Sequence, residues 1–196
     1  MTATKLAEDT LAMAYLHALP GSYLPWNAAS IRASHLVAIL NMLLIQRRQR
    51  VLECGSGIAT VYLARLFRQR GGGQVVSIEH DAAWADVVRD LLAQEMLQPY
   101  AKVIQTPLTG SSEGYDAEVL RDLLAAEAHF DALLVTTSAA DEAVFPFLRA
   151  HLTDDALILL DEAEGKQAVL AQWQQAGARL AAYPVPGLAL LKKQEG

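Results

Sequence analysis

The segment Val51-Leu52-Glu53-Cys54-Gly55-Ser56-Gly57-Ile58-Ala59-Thr60 determines the fold of this 196-residue chain. Apolar residues lead directly into two glycines, and the apolar spacing of the following residues, up to Leu66, is helical. This order predicts a strand, a tight turn and a helix. Because glycine has no Cβ, Gly55 and Gly57 let a ligand lie against the backbone, and the free N–H groups at the start of the helix face that ligand. The segment therefore predicts a cofactor-binding turn.

A second acidic residue lies at a distance typical of nucleoside-binding folds. Glu79 follows the apolar stretch Val75–Ile78 and stands 22 positions after Gly57. At the tip of a neighbouring parallel strand, its side chain can accept hydrogen bonds from both hydroxyls of a ribose. An ordinary glycine turn between a core strand and a core helix is the alternative interpretation, but it does not account for Glu79. We therefore expect a ligand that contains a nucleoside.

The residues around the turn distinguish two kinds of nucleoside ligand. A dinucleotide-binding turn has a third glycine where Ala59 or Thr60 stands here. Glu53, directly before the turn, would repel a pyrophosphate, whereas a carboxylate suits a ligand that carries an ammonium group and a sulfonium, as S-adenosylmethionine does. An NAD-dependent oxidoreductase is thus the less favoured alternative.

These motifs resemble those of the class I S-adenosylmethionine-dependent methyltransferases. The first motif of that family is an acidic residue followed by Gly-x-Gly, which Glu53-Cys54-Gly55-Ser56-Gly57 fits, and Glu79 matches the family's ribose-binding acid. Leu24-Pro25-Trp26-Asn27 with Ser30, and Glu79-His80-Asp81 with Trp84, are similar to bacterial small-molecule O-methyltransferases. The resemblance implies S-adenosylmethionine as the cofactor and a small-molecule methyl acceptor, modified at oxygen.

The resemblance and the strand-tip rule for open α/β sheets together assign the candidate site residues. Thr106-Pro107-Leu108 matches the region that holds the adenine, where His80 could also stack. Trp26 and Tyr115 are the candidate substrate contacts, although Trp26 could equally anchor a helix and Tyr115 lies in a loop that could be only a connection. The candidate cofactor-binding residues are Glu53, Gly55, Ser56, Gly57, Thr60, Glu79, His80, Thr106, Pro107, Leu108 and Thr136.

Methyl transfer from a sulfonium needs positioning and sometimes a base. Asp161 is the favoured catalytic residue because it directly follows a strand; Glu162, Asp141 and His80 are other titratable candidates, and a helix-capping role for Asp161 is the alternative. Metal-dependent relatives carry a carboxylate where Thr136 stands, so we predict no catalytic metal. The same departure motivates a second hypothesis, a non-catalytic protein that binds the nucleoside without turnover.

The rest of the sequence predicts an α/β fold: a doubly wound, Rossmann-like methyltransferase domain with a mostly parallel seven-stranded sheet, helices on both faces and a C-terminal antiparallel pair. Residues 1–46 are expected to form two helices, Lys5–Leu19 and Ser30–Gln46, and a cap loop packed on the core, with Ser30 or Asn27 capping the second helix. Residues 47–196 are expected to bind S-adenosylmethionine, and the whole chain to form one structural domain. Further strands are predicted at Lys102–Gln105, Asp131–Thr136, Ala156–Leu160, Ala178–Tyr183 and Gly187–Lys192.

The composition indicates which binding partners and which cellular compartment to expect for the protein. A net charge of −6 and a pI near 5.3 argue against nucleic acid as a partner. No apolar run approaches the roughly 20 residues of a membrane span, and the N-terminal residues lack a signal-peptide pattern. Cys54, the single cysteine, is expected to be a buried packing thiol in a reducing compartment, so we predict a cytoplasmic protein. A homodimer is compatible with the sequence, which does not define the oligomeric state.

Overall fold

The computed structural model describes residues 3–27, 30–108, 115, 117–125, 127, 129–136 and 144–194. Within this part of the chain, seven strands form one sheet in the order β3-β2-β1-β4-β5-β7-β6. The first five strands are parallel, and β7 pairs antiparallel with both β5 and β6. The strands are β1 Arg50–Cys54, β2 Gln74–Glu79, β3 Ala101–Gln105, β4 Phe130–Val135, β5 Leu152–Leu160, β6 Ala178–Val185 and β7 Leu188–Lys193.

Helices cover both faces of the sheet, because alternate residues of each strand point to opposite sides. Val51 and Val75 pack with one set of helices, whereas Leu52 and Val76 pack with the other. The first set is α1 Ala3–His17, α2 Ala33–Ile45, α3 Ile58–Arg70 and α4 Ala82–Gln94; the second is α5 Ala117–Leu124, α6 Val144–Leu148 and α7 Gln167–Gln175. The predicted fold class, a doubly wound sheet with a terminal antiparallel pair, is confirmed.

The two N-terminal helices share the core of the nucleotide-binding unit. Leu16 of α1 and Leu36, Ile39 and Leu43 of α2 are buried in the same apolar cluster as α3. This continuous burial is the reason that the segment before β1 stays against the sheet. No helix in the described part of the chain combines the length and apolar character needed to cross a membrane.

The entrance to α2 differs from the prediction. Arg32 is the N-cap and makes no side-chain capping bond, whereas the Ser30 hydroxyl accepts a hydrogen bond from the Asn27 N–H at 3.1 Å. The predicted capping of α2 by Ser30 or Asn27 is therefore wrong. The N–H of Ser34 instead bonds the Asp9 carboxylate of α1 at 3.2 Å, so tertiary packing of α1 supplies the missing acceptor.

The direction of the strands determines where the candidate active site lies. Because β1, β2, β4 and β5 are parallel, their carboxyl ends lie at one edge of the sheet. The strand order reverses between β1 and β4, and ligands of open α/β sheets bind in the crevice outside such a reversal. Cys54, Glu79, Val135 and Leu160 are the last residues of these four strands, so the candidate site lies just beyond them.

Candidate active site

The glycine turn between β1 and α3 has the conformation that its sequence predicts. Gly55 has a φ of +93°, in the region that favours glycine, and its N–H donates to Ile78 O at 2.9 Å. A Cβ at Gly57 would meet only Trp84 Nε1, at 3.9 Å, so the absence of a side chain there keeps the crevice open. Trp84, on α4, donates from Nε1 to Ser56 O at 2.8 Å and thereby holds the turn against the next helix.

Glu53, the last but one residue of β1, is fully buried beneath this turn. Its Oε2 accepts a 2.6 Å hydrogen bond from the Thr60 hydroxyl, which in turn accepts from the Gly57 N–H at 2.9 Å. Its Oε1 has no hydrogen-bond partner among the described residues. Burial raises the pKa of Glu53 to about 8 against the opposing hydrogen bond from Thr60, and the negative charge of Glu79 acts in the same direction as burial. The Ser77 hydroxyl lies near the carboxylate but without the geometry of a hydrogen bond. An unpaired buried oxygen of this kind suits a cationic ligand group, such as an ammonium, because the cation would favour the charged carboxylate.

Glu79, at the end of β2, is held by donors on two sides. Oε2 accepts from both the N–H and the hydroxyl of Ser56, each at 2.9 Å. Oε1 accepts from the N–H groups of His80 and Asp81 at 2.8 and 3.0 Å. The Asp81 side chain caps α4 by accepting from Trp84 N at 3.0 Å. The carboxylate thus lies next to the glycine turn, as the spacing between Gly57 and Glu79 predicts.

A crevice with a volume of about 380 Å³ opens between these elements, within the size range of cofactor sites. Its lining holds five acidic residues and, among the described residues, neither lysine nor arginine. The lining residues are Asn27, Ser30, Ile31, Glu53, Gly55, Ser56, Gly57, Ile58, Ala59, Glu79, His80, Asp81, Trp84, Thr136, Asp161 and Glu162. The open glycine turn, the buried unpaired oxygen of Glu53 and the acid at the tip of β2 fit S-adenosylmethionine.

A second cavity, of about 430 Å³, lies between α1, α2 and α3. Its lining is mostly apolar, includes Leu16 and Leu40, and has neither an acidic residue nor a glycine. It also lies away from the carboxyl ends of the strands. Although this cavity is slightly larger, the crevice at the strand tips is the candidate cofactor site, because the polar groups converge there.

Thr136, just after β4, turns its hydroxyl toward the backbone. Thr136 Oγ1 lies 3.2 Å from Cys54 O and 3.1 Å from Gly55 O and donates to these carbonyls. The hydroxyl therefore supports the turn rather than presenting an anionic ligand to a cation. Among the described residues, no group of three His, Cys, Asp or Glu side chains is arranged to hold a metal ion.

Asp161 lines the crevice directly after β5 and is paired with a histidine that the sequence reasoning did not identify. His35 Nδ1 contacts Asp161 Oδ1, and both side chains are almost completely buried. On the other side of the ring, His35 Nε2 lies 2.9 Å from Pro186 O, a pure acceptor, and 3.3 Å from Arg32 Nη1. The shorter contact requires a proton on Nε2, because two lone pairs at 2.9 Å would repel. The contact between His35 Nδ1 and Asp161 Oδ1 likewise requires a proton between these two atoms.

The alternative role of Asp161, as a helix cap, is not observed. The helix α7 begins at Gln167 with Lys166 as its N-cap. Among the described residues, Asp161 Oδ2 makes no hydrogen bond, so this oxygen can accept one from a crevice ligand. The neighbouring Glu162 is exposed, lines the same crevice and has a φ of +53°, a strained conformation of the type that concentrates at functional sites.

The remaining candidates lie at one side of the crevice or away from it. Thr106 is buried, and its N–H donates to Glu79 O at 2.8 Å. Leu108, after the exposed Pro107, forms an isolated β-bridge with Tyr115. Tyr115 is itself buried, donates its hydroxyl to Ile78 O at 3.3 Å and makes an edge contact with the His80 ring. Of these residues only His80 lines the crevice; Thr106, Pro107, Leu108 and Tyr115 are not part of its lining.

Trp26 also lies outside the lining of the crevice. Its ring lies 6.4 Å from that of Tyr62, and it lines a separate small cavity near Arg65. Cys54 is buried, and burial raises the pKa of its thiol, in agreement with a packing role. The base candidate Asp141 lies outside the described residues. The tips of β1, β2, β4 and β5 thus meet in the crevice together with residues before α2 and at the starts of α3 and α4.

His35 could have been noticed in the sequence only as a polar residue within the apolar α2 segment. Its partner Asp161 lies 126 positions away, and no local pattern links the two residues. The hydrogen bond from Trp84 to the glycine turn could not be predicted from the sequence either, although Trp84 belongs to the Glu79-His80-Asp81 motif on which the family resemblance rests.

Comparisons with known proteins agree with this geometry. A family model described as a methyltransferase domain matches residues 52–163. No curated protein matches the chain in sequence. Several solved structures share the fold. A Staphylococcus aureus protein provisionally described as a caffeoyl-CoA O-methyltransferase has a TM-score of 0.68 and 15% identity over 96% of this chain and 99% of that one. The O-methyltransferase TomG of Streptomyces achromogenes, in complex with S-adenosylmethionine, has a TM-score of 0.65 and 12% identity over 100% of both chains. An O-methyltransferase of Bacillus cereus, in complex with S-adenosylhomocysteine, has a TM-score of 0.55 and 17% identity over 97% of this chain and 90% of that one.

The sheet order and the acid-flanked glycine turn define a class I S-adenosylmethionine-binding fold. Since the matched region, which runs from β1 to the residues after β5, covers more than half of the chain, the protein belongs to this methyltransferase family. It is an S-adenosylmethionine-dependent methyltransferase.

Proposed function

We propose that this enzyme transfers a methyl group from S-adenosylmethionine to an oxygen atom of a small molecule, without a catalytic metal. The observation that carries the proposal is the crevice in which the Gly55–Gly57 turn lies between two acids, Glu53 and Glu79, and which ends at Asp161. The solved O-methyltransferases of similar fold support oxygen as the methylated atom.

The roles of the residues follow from their contacts. Glu79 would hold the ribose, and Glu53 with its unpaired Oε1 would lie below the ammonium end of the ligand. When bound, S-adenosylmethionine supplies a methyl group on a positively charged sulfur, which an acceptor oxygen attacks in line. The chain then contributes mainly by positioning. His80, which lines the crevice, would contact the adenine. The proposed adenine contacts Thr106, Pro107 and Leu108 and the proposed substrate contacts Trp26 and Tyr115 do not line the crevice, so they would bind only a part of the cofactor or acceptor that extends beyond it.

Asp161 is the proposed general base. Asp161 lines the crevice and its Oδ1 is held by His35, so Oδ2 is the oxygen that would accept a proton from the acceptor. Methyl transfer would break the methyl–sulfur bond and leave S-adenosylhomocysteine, and Asp161 Oδ2 would take up the proton that the acceptor hydroxyl loses and later release it to water. His35 fixes the orientation of the carboxylate, since its other nitrogen is anchored on Pro186 O. Base catalysis of this kind contributes about 10²- to 10⁴-fold.

The second candidate function, nucleoside binding without turnover, is not favoured by the family match and the solved O-methyltransferases of similar fold. The Thr136 hydroxyl donates to the backbone at the position where metal-dependent relatives carry a carboxylate, and this departure concerns the use of a metal ion. A screen of small hydroxylated acceptors with labelled S-adenosylmethionine distinguishes the two functions. Label transfer that falls at least 100-fold in Asp161→Asn supports the enzyme, whereas binding with no transfer to any acceptor supports the alternative.

Three broader features belong to the same proposal. Residues 1–46 would act as the cap of the methyltransferase unit formed by residues 47–196. A homodimer would cover the exposed apolar side chains of Leu11, Tyr15 and Leu44, and light scattering in solution measures it. A cytoplasmic location stays a prediction from the cysteine content and from the sequence of the N-terminal segment.

Calorimetric titration with S-adenosylhomocysteine tests the binding site directly. The Glu79→Ala protein should bind at least about tenfold more weakly than the wild type, because a hydrogen bond to a charged group contributes about 1.5–3 kcal/mol. Asp86→Ala, which removes a largely exposed acid on α4, is the matched control and should bind normally. Glu79→Gln keeps the shape of the side chain if the alanine variant is unstable. Undiminished affinity in a folded Glu79 variant would contradict the assigned ribose contact.

A further inference from the structure

We infer that Ser56 competes with the cofactor ribose for Glu79 and thereby sets the affinity and the ribose selectivity of the site. The inference rests on the proposed function, since it assumes that Glu79 receives the ribose hydroxyls. It concerns the central residue of the glycine turn, whose side chain has no assigned role in that function.

The acceptor capacity of the Glu79 carboxylate carries the argument. An ionised carboxylate offers about four lone-pair positions, and four donors already point at Glu79: the N–H and hydroxyl of Ser56 on Oε2, and the N–H groups of His80 and Asp81 on Oε1. Glu79 is only 3% exposed. His80 Nδ1 also lies 3.1 Å from Oε1, but without the geometry of a hydrogen bond. The ribose hydroxyls can therefore bond the Glu79 carboxylate only if one of these four donors leaves it.

Three of these four donors are fixed by the backbone. The N–H groups of His80 and Asp81 belong to the tight turn into α4, which the Asp81 side chain caps. The peptide of Ser56 is fixed by Trp84, which donates to Ser56 O at 2.8 Å, and by the neighbouring Gly55, whose N–H bonds Ile78 O. Only the Ser56 hydroxyl leaves its position by rotation about one side-chain bond.

The hydroxyl is thus the exchangeable donor. A ligand with a ribose diol replaces the Ser56 hydroxyl on Oε2 and compensates for the lost hydrogen bond. A ligand that lacks these hydroxyls does not compensate for it, and Glu79 stays bound to Ser56. The exchange reduces the affinity for the correct ligand by the net value of one hydrogen bond, and it weakens the preference for ribose over deoxyribose, because a ligand without the hydroxyls leaves the bond between Ser56 and Glu79 intact.

Calorimetric titration of Ser56→Ala with S-adenosylhomocysteine tests the inference. The Kd should fall at least about tenfold relative to the wild type, because the competing hydrogen bond to the charged carboxylate is absent and a bond to a charged group has at least this net value. Ser56→Thr, which keeps the hydroxyl, should bind within about twofold of the wild type. Thr10→Ala is the control, since the hydroxyl of Thr10, an exposed residue of α1 outside the crevice lining, bonds Leu6 O and not Glu79, and this variant should bind as the wild type does.

The contribution of Glu79 is isolated by a double-mutant cycle. In the Glu79→Gln background, Ser56→Ala should change the Kd by less than twofold, because the shared carboxylate is gone. The melting temperature of each variant shows that it is folded. Unchanged or weaker binding by a folded Ser56→Ala protein, when the wild type binds normally, overturns the inference alone. A wild-type protein that does not bind S-adenosylhomocysteine overturns the proposed function and this inference together.

Discussion

Replacement of Glu53 by glutamine should remove a pH dependence of stability that this buried acid creates. In the folded protein, burial raises the pKa of Glu53 from its ordinary value of 4.5 to about 8. The unfolded chain loses the Glu53 proton near pH 4.5, whereas the folded chain keeps it until about pH 8. The folded state therefore binds more protons in this interval, and the stability that Glu53 contributes is present below pH 4.5 and is lost as the pH rises to 8.

The magnitude follows from the size of the pKa difference. Each pH unit corresponds to about 1.4 kcal/mol of differential stability, so the whole interval corresponds to about 5 kcal/mol. Between pH 5 and pH 8, most of the interval is crossed, and the wild type should lose about 3 kcal/mol relative to the Glu53→Gln variant. Glutamine does not titrate, and its amide oxygen can still accept from the Thr60 hydroxyl that bonds Glu53 Oε2 at 2.6 Å.

Urea unfolding of both proteins at pH 5, 6, 7 and 8 gives the difference in the free energy of unfolding at each pH. The informative quantity is the change of this difference with pH, because a constant offset arises from any imperfect fit of the amide. Other titrating groups change both proteins alike and cancel. A difference that is constant within about 0.5 kcal/mol from pH 5 to pH 8 would refute the reasoning, since it would mean that Glu53 titrates similarly in the folded and unfolded chains.

Two further results are expected. His35→Leu should lower the free energy of unfolding by about 3 kcal/mol, because it leaves the buried Asp161 carboxylate without its partner. His35→Gln can still donate to the carboxylate, so its free energy of unfolding should fall less in the same urea titration. An equal fall in both variants would count against the pairing. Methyl transfer to an acceptor found in the labelled screen should be unaffected by EDTA and by added magnesium, because Thr136 presents no carboxylate to a cation; activity that EDTA abolishes and magnesium restores would exclude a metal-free mechanism.

Much of the fold could be predicted because it depends on local patterns. Short apolar strands separated by amphipathic helices are buried on both faces of a parallel sheet, and residues such as Val51 and Leu52 point to opposite faces simply because they are neighbours. The capping of α2 could not be predicted in this way, because the acceptor for its first N–H groups is Asp9 of another helix. The start of β5 at Leu152, four residues before the predicted position, likewise depends on pairing with Phe130 of β4.

The cofactor turn and its two acids were determined by the sequence alone, because each depends on a short span: a glycine where φ is positive, a carboxylate next to it, and a second acid one strand–helix–strand unit later. The contact between His35 and Asp161, and the sharing of Glu79 by Ser56, His80 and Asp81, were decided only by the tertiary structure. Such contacts depend on where helices pack and which oxygen a rotamer reaches. Hydrogen-bond partners distant in the chain leave no periodic trace in the sequence, since only the folded chain brings their atoms within 3 Å.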